Sequence, residues 1–345
     1  MLHYYHFFFI QPQAQLDPAW RSLEPGGDWL GLLYVQGVYA VNVFWMISGF
    51  VFAHVYCGRA VSTPEFAAHR IARLYPLHLL TLGVVALLQA IAMWRLGYFL
   101  IYTHNDWQHF VQHVLFVPGW GIDKQSGFNA PIWSVSVELL VYALFWSIRG
   151  WLDRIGAAGA LALAIAAGLL IIAGQTWLAL ACAFNFFIGV ALAFAWRNLK
   201  SRPRSAPLLG GVLLASGVPL LQSSSEAVSI GLGLPAFFGG LMLLLVAFEA
   251  RAEPALRRAA QWLGDATYSV YLWHVPMQIA LILALTGRAD LMGLASQGWF
   301  LALWLAAVLT VGRLSFTHFE APARRVVRRL LLRAAKGGDR RAAFA

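Results

Sequence analysis

The chain has 345 residues, 60% of them hydrophobic and 12% charged, with a formal net charge of +10. The mean hydropathy is +0.66, whereas a soluble domain carries about 25% charged residues, so a water-soluble globular fold is excluded. A nucleic-acid binder is excluded by where the charge falls: most lysines and arginines lie in short segments between apolar runs, or after residue 322.

The predicted elements are ten apolar helical spans, at about 1–10, 35–56, 72–94, 131–149, 157–173, 177–196, 206–222, 228–249, 267–287 and 297–319, since about 20 apolar residues cross the hydrocarbon layer. Long unbroken apolar runs exclude a β-barrel, which alternates over short segments. The fold class is an all-α polytopic membrane bundle. Residues 1–322 form one membrane domain and residues 323–345 a basic cytoplasmic tail.

The first span opens on MLHYYHFFFI, which is apolar from its second residue and lacks a basic flank. It is half the expected length, which predicts that roughly 10–20 residues of the first helix are missing. His3 and His6 share one helix face at spacing i, i+3. Neutral imidazole is a natural general base near neutral pH, although a buried histidine is equally often just hydrogen-bonded structure.

The third span begins with HRIARLYPLHLL, where Arg70 and Arg73 share a face at the mouth of a helix beside His69. Such arginines either snorkel to the interface or use their planar guanidinium forks to grip phosphate. The 96–130 loop that follows is rich in tryptophan, tyrosine and histidine; its aromatics read as interfacial residues. His109 and His113 are at spacing i, i+4, but no acid or cysteine in the pattern completes a metal site. No metal is expected.

The fourth span, from NAPIWSVSVELLVYALFW, buries a carboxylate, Glu138. A charge inside a span costs about 2.5–3.5 kcal/mol even on lenient scales, so it marks a functional site unless it pairs structurally, for example with Arg313. Later, YSVYLWHVP carries His274 ahead of Pro276, which lacks an N–H and kinks a helix. Cys57 and Cys182 fall at different depths and read as separate apolar fillers. With the first residue inside, most basic residues fall in cytoplasmic segments, so both termini are cytoplasmic and the tail leans on anionic headgroups.

Five stretches in order, FWMISGF (44–50), RIARLYPLHLL (70–80), FNAPIWSVSVELLVY (128–142), LGDATYSVYLWHVP (263–276) and FTHFEAPARR (316–325), resemble the membrane-bound acyltransferase 3 family over essentially the whole chain. The resemblance implies a bacterial inner-membrane O-acyltransferase. It would move an acetyl or other short acyl group from cytoplasmic acyl-CoA to a hydroxyl of an extracytoplasmic or lipid-linked glycan. Acyl-CoA would be a substrate, with no permanently bound cofactor.

By the same resemblance His6, with His3 as the competing alignment, is the essential histidine. Arg70 and Arg73 are the family's R-x-x-R pair, and Glu138 closes its W-S-x-S-x-E motif. Trp133 and Ser136 of that motif, together with His274, support or bind substrate. Glu320 and Pro322 match the E-x-P ending. The family's arginine-bearing start of the first span is absent. No esterase-like domain follows the membrane core, so transfer is expected from the membrane domain alone or with a separate extracytoplasmic partner. The scheme requires a cavity penetrating the bundle from Arg70 and Arg73 to His6. A transporter or flippase is the competing class, but it would show inverted repeats and broken helices, and no such repeat is found.

Overall fold

The computed structural model describes residues 1–9, 18–123, 125–202 and 204–342. After a 3₁₀ segment, Leu2–Phe8, the helices are α1 (Gly27–Gln36), α2 (Ala40–Tyr56), α3 (Thr63–Leu96), α4 (Trp107–Val114), α5 (Ile132–Ile155), α6 (Ala157–Ile172) and α7 (Leu178–Leu199). There follow α8 (Ser205–Leu221), α9 (Glu226–Val228), α10 (Leu234–Phe248), α11 (Pro254–Asp265), α12 (Thr267–Leu285), α13 (Leu291–Ala295), α14 (Gly298–Ser315) and α15 (Ala321–Ala342). No strand occurs among the described residues. The protein is a helical membrane bundle.

Seven helices among the described residues are long and apolar enough to cross a membrane, fewer than the ten expected. The apolar α6 and α8 have 16 and 17 residues, short of the roughly 20 that a crossing takes. The opening segment is not α-helical. Its three-residue turn stacks Tyr5 and Phe8 in one buried column, with Phe8 edge-on to Phe300 at 5.5 Å and Trp304 at 5.2 Å; in a 3₁₀ turn, residues i and i+3 eclipse. Ile10, the last residue of the predicted first span, and residues 343–345 of the predicted tail lie outside the described residues.

Helix α3 starts nine residues before the predicted span. Ser62 caps it by accepting from the Glu65 N–H at 3.3 Å, and Pro64 in the first turn pre-organises the helix start. Arg70 and Arg73 therefore lie about two and three turns inside the helix, not at its mouth. Helices α2 and α7 cross in close contact. A Cβ on Gly49 would lie 1.9 Å from the Phe186 carbonyl oxygen, and one on Gly189 would lie 1.9 Å from that of Met46. Only glycine lets the two backbones approach this far. Below the crossing, the Arg197 guanidinium donates to the Ala53 and Cys57 carbonyls at the C-terminal end of α2. Cys57 and Cys182 are both free and buried.

Helices α14 and α15 form one continuous rod through a π turn, Phe316–Glu320. The extra residue in that turn aims Glu320 inward, where it is 2% exposed. The stretch predicted as a tail is thus helical through Ala342 and packs along α3.

Candidate active site

Helices α2, α3, α5 and α12 surround a cavity of about 270 Å³. Each helix contributes one face at helical spacing. Val41, Phe44, Trp45, Ser48 and Phe52 come from α2, and Arg70, Arg73 and Leu74 from α3. Ser134, Glu138 and Tyr142, at i, i+4 and i+8, come from α5, and Tyr268 and Tyr271 from α12. Three residues singled out by sequence, Arg70, Arg73 and Glu138, thus share one chamber although they fall on two different helices.

The Glu138 carboxylate meets the hydroxyls of Ser48 and Tyr142 and the charge of Arg70. Those two hydroxyls lie 2.9 Å apart. Arg313, the structural partner considered from sequence, instead donates to the Trp262 carbonyl at 3.2 Å and sits over the Trp262 ring. Arg70 lies over the Phe52 ring at 4.8 Å and donates to the Tyr56 hydroxyl at 3.1 Å. Its buried Nε has no partner among the described residues. Arg73 forms an ion pair with Glu320, whose second oxygen accepts from Ser269 at 2.6 Å. The two guanidiniums are therefore not equivalent: one is pinned by a carboxylate, while the other is held by aromatic rings and a neutral hydroxyl.

The three histidines stand apart from this chamber; none is among its lining residues. His3 Nδ1 faces the Tyr34 carbonyl at 2.9 Å, His6 Nδ1 faces the His3 carbonyl, and His274 Nδ1 faces the Tyr271 carbonyl. A carbonyl only accepts, so each Nδ1 carries the proton and each Nε2 keeps a lone pair for use as a base. The His3 and His6 rings are 5.6 Å apart, and Tyr4 lies 5.0 Å from the His274 ring. The buried His274 Nε2 has no partner among the described residues. Tyr271 is the wall between the two groups: its ring lines the cavity while its backbone holds His274. His6 is not among the residues that line this cavity.

Residues 2–313 match the acyltransferase 3 family, described as an acyltransferase domain. The chain belongs to this family. It is a membrane acyltransferase, and the transporter reading is set aside. It is 30% identical to the exopolysaccharide production protein ExoZ of Rhizobium meliloti (strain 1021), over 88% of this chain and 96% of that protein. It is 33% identical to the acyltransferase MdmB of Streptomyces mycarofaciens, over 32% of this chain and 27% of that protein. No solved structure matches the chain.

The other two residues expected in this acyltransferase's site sit at its edge. The Ser136 hydroxyl donates to the Pro118 carbonyl, and the Trp120 indole donates to the Ser136 carbonyl at 2.9 Å, so this serine ties the 97–131 segment to α5. Trp133 packs edge-on to Trp45 at 5.9 Å. Sequence reasoning passed over Ser48, Ser134, Tyr142 and Tyr271, although each is a polar side chain one helical repeat from an apolar or charged cavity residue. It also passed over Asn129, fully buried, which donates to Thr81 Oγ1 at 3.1 Å and to the Leu272 carbonyl at 3.0 Å, joining α3 and α12 to the start of α5.

In the 97–131 segment, acids do meet a histidine, contrary to the sequence pattern. His109 Nδ1 hydrogen-bonds Asp106 at 2.9 Å, and its Nε2 lies 3.2 Å from an Asp123 carboxylate oxygen without a hydrogen bond. No cluster of three or more potential metal ligands occurs among the described residues. Of the aromatics expected at the interface, Trp107 is 75% exposed.

Proposed function

We propose that this acyltransferase moves an acetyl or other short acyl group from cytoplasmic acyl-CoA to a hydroxyl of an extracytoplasmic or lipid-linked glycan. It would do so in the bacterial inner membrane, with both termini cytoplasmic. The observation that carries the proposal is one cavity lined by Arg70, Arg73 and Glu138. A guanidinium with a free N–H beside a narrow, mostly apolar chamber suits a phosphorylated donor with an uncharged arm. The name of the R. meliloti relative, which refers to exopolysaccharide production, favours a glycan acceptor.

In this reading Arg70 and Arg73 hold donor phosphates and the pantetheine arm lies along the cavity. His6 takes the acceptor proton on its bare Nε2, with His3, one turn away, as the competing base. The acceptor oxygen attacks the thioester carbonyl; a C–O bond forms and the C–S bond breaks. The proton passes from the imidazolium to the departing thiolate, releasing CoA thiol. His6 lies beyond the Tyr271 wall, so this scheme requires that wall to open when donor and acceptor bind. Glu138, Ser48 and Tyr142 hold the polar end of the chamber, and Trp133, Ser136 and His274 brace the outer half.

The test is transfer of labelled acetyl from acetyl-CoA to alkali-labile product in membranes containing the protein. Positioned general bases contribute about 10²–10⁴-fold, so His6→Ala should lose at least the lower figure. Arg70→Ala should raise the KM for acetyl-CoA. Retained turnover in His6→Ala, with loss in His3→Ala, would move the base to His3. Transfer unaffected by any of the three would sink the scheme.

A further inference from the structure

The cavity is too small for the whole donor. About 270 Å³ falls below the roughly 300–1,000 Å³ of sites that enclose drug-sized ligands, and a nucleotide thioester is larger than such ligands. If the arm fills the chamber, the nucleotide must lie outside it, against whatever surface borders Arg70 and Arg73.

That surface is helix α15. It packs along α3, anchored at its first turn by the Arg73–Glu320 pair. Arg324 lies within electrostatic reach of Arg73, Glu320, Arg328 and Asp265, and Arg328 lies within reach of His69 and Arg324. Arg324 and Arg328 are at spacing i, i+4, hence on one face. Packed side by side, α3 and α15 bring four guanidiniums together. Glu320 is paired with Arg73, the Glu138 carboxylate faces Arg70, and Asp265 lies within electrostatic reach of Arg324; neither Arg324 nor Arg328 forms an ion pair among the described residues. Arginine forks left without an ion pair beside the cavity mouth suit a ligand carrying several phosphates.

We propose that Arg324 and Arg328 of α15 form an outer phosphate site that holds the phosphomonoester on the donor's ribose, while Arg70 and Arg73 take the diphosphate nearer the cavity. This rests on the reading of acyl-CoA as donor. The shared chemistry is a phosphate ester, which an anionic lipid headgroup also supplies, so the experiment separates the two sources.

The experiment is equilibrium binding of CoA and of 3′-dephospho-CoA to the full-length protein in nanodiscs, made once with phosphatidylcholine alone and once with added phosphatidylglycerol. Wild type is compared with Arg324→Gln, Arg328→Gln, the double variant and the Arg324→Lys/Arg328→Lys double. A charge-assisted contact sets an expected scale of about tenfold for each arginine lost. In phosphatidylcholine, wild type should prefer CoA over dephospho-CoA by about tenfold or more. The double glutamine variant should lose that preference by weakening CoA alone, and the lysine double should recover part of it. Arg328 is exposed, so its single variant reports even if Arg324→Gln fails to fold.

An unchanged preference in the folded variants overturns the proposal while leaving the donor reading intact. So does an effect confined to discs with phosphatidylglycerol, which would make the pair a headgroup site. Wild type that binds neither nucleotide overturns both the proposal and the donor reading.

Discussion

The Arg73–Glu320 pair joins two helices 247 residues apart in sequence, and its two partners are unequally buried. The Glu320 side chain is 2% exposed and that of Arg73 is 27% exposed, opening on the cavity. Removing the cation should therefore cost more than neutralising the anion. Arg73→Met leaves a buried carboxylate hydrogen-bonded only by the Ser269 hydroxyl, with Arg324 as the remaining nearby positive charge, so a cost toward the lower end of the about 3–5 kcal/mol that follows loss of one member of a buried pair is expected. Glu320→Gln keeps an oxygen for Ser269 and leaves Arg73 a route to water, so about 1.5–3 kcal/mol is expected, the net worth of a hydrogen bond to a charged group. The double variant removes both charges and should lie close to wild type, because a neutral replacement of a buried ion pair is often nearly free. Unfolding by SDS in mixed micelles, followed by tryptophan fluorescence, gives the four stabilities. A double variant as unstable as the sum of the singles, or Glu320→Gln costing more than Arg73→Met, would refute the reasoning.

Gly49→Val should prevent α2 and α7 from closing, since the added carbon meets backbone that cannot rotate away; overpacking costs about 1–3 kcal/mol or more. Size-exclusion chromatography should show loss of monodisperse protein, and a wild-type profile would contradict the crossing. Burial pushes the His113 imidazole down from 6.5 to about 3, with His78 and His109 adding to the effect. The unfolded chain thus binds a proton that the folded one refuses. The stability is complete above about pH 6.5 and falls toward pH 3, by up to about 1.4 kcal/mol per pH unit. His113→Gln should flatten that acid slope in a pH series of unfolding curves, and an unchanged slope would assign it elsewhere. Asn129→Leu should leave the Leu272 carbonyl without its Asn129 donor, at about 1–3 kcal/mol, while the Thr81 hydroxyl loses an accepted bond but still donates to the His78 carbonyl. A stability within 0.5 kcal/mol of wild type would argue against the tie, since that is the usual range for surface substitutions, about ±0.5 kcal/mol.

The membrane class was legible from composition alone, because the bilayer imposes one requirement, long apolar helices, that sequence states directly. Helical spacing also carried information: Ser134, Glu138 and Tyr142 share a face by period, as do Arg70 and Arg73. The family resemblance, read from five ordered motifs, is borne out by the family match across residues 2–313.

Other features depended on contacts between distant segments. The opening stretch reads as helix by hydropathy, yet its aromatics pack as a 3₁₀ column against α14. Arg70 and Arg73 looked interfacial because the apolar pattern starts after them, whereas the Ser62 cap starts the helix earlier. No local pattern could pair Arg73 with Glu320, or bring Glu138 beside Arg70, since those distances are set by how α3, α5 and α14 cross. Nor could it reveal that the basic stretch after residue 322 is a helix lying along α3, because hydropathy reports preference for lipid or water and is silent about which charged faces meet. The sequence by itself determined the solvent, the helices and the order of the motifs. Tertiary packing decided which polar groups share a chamber, and left the histidines behind the Tyr271 wall.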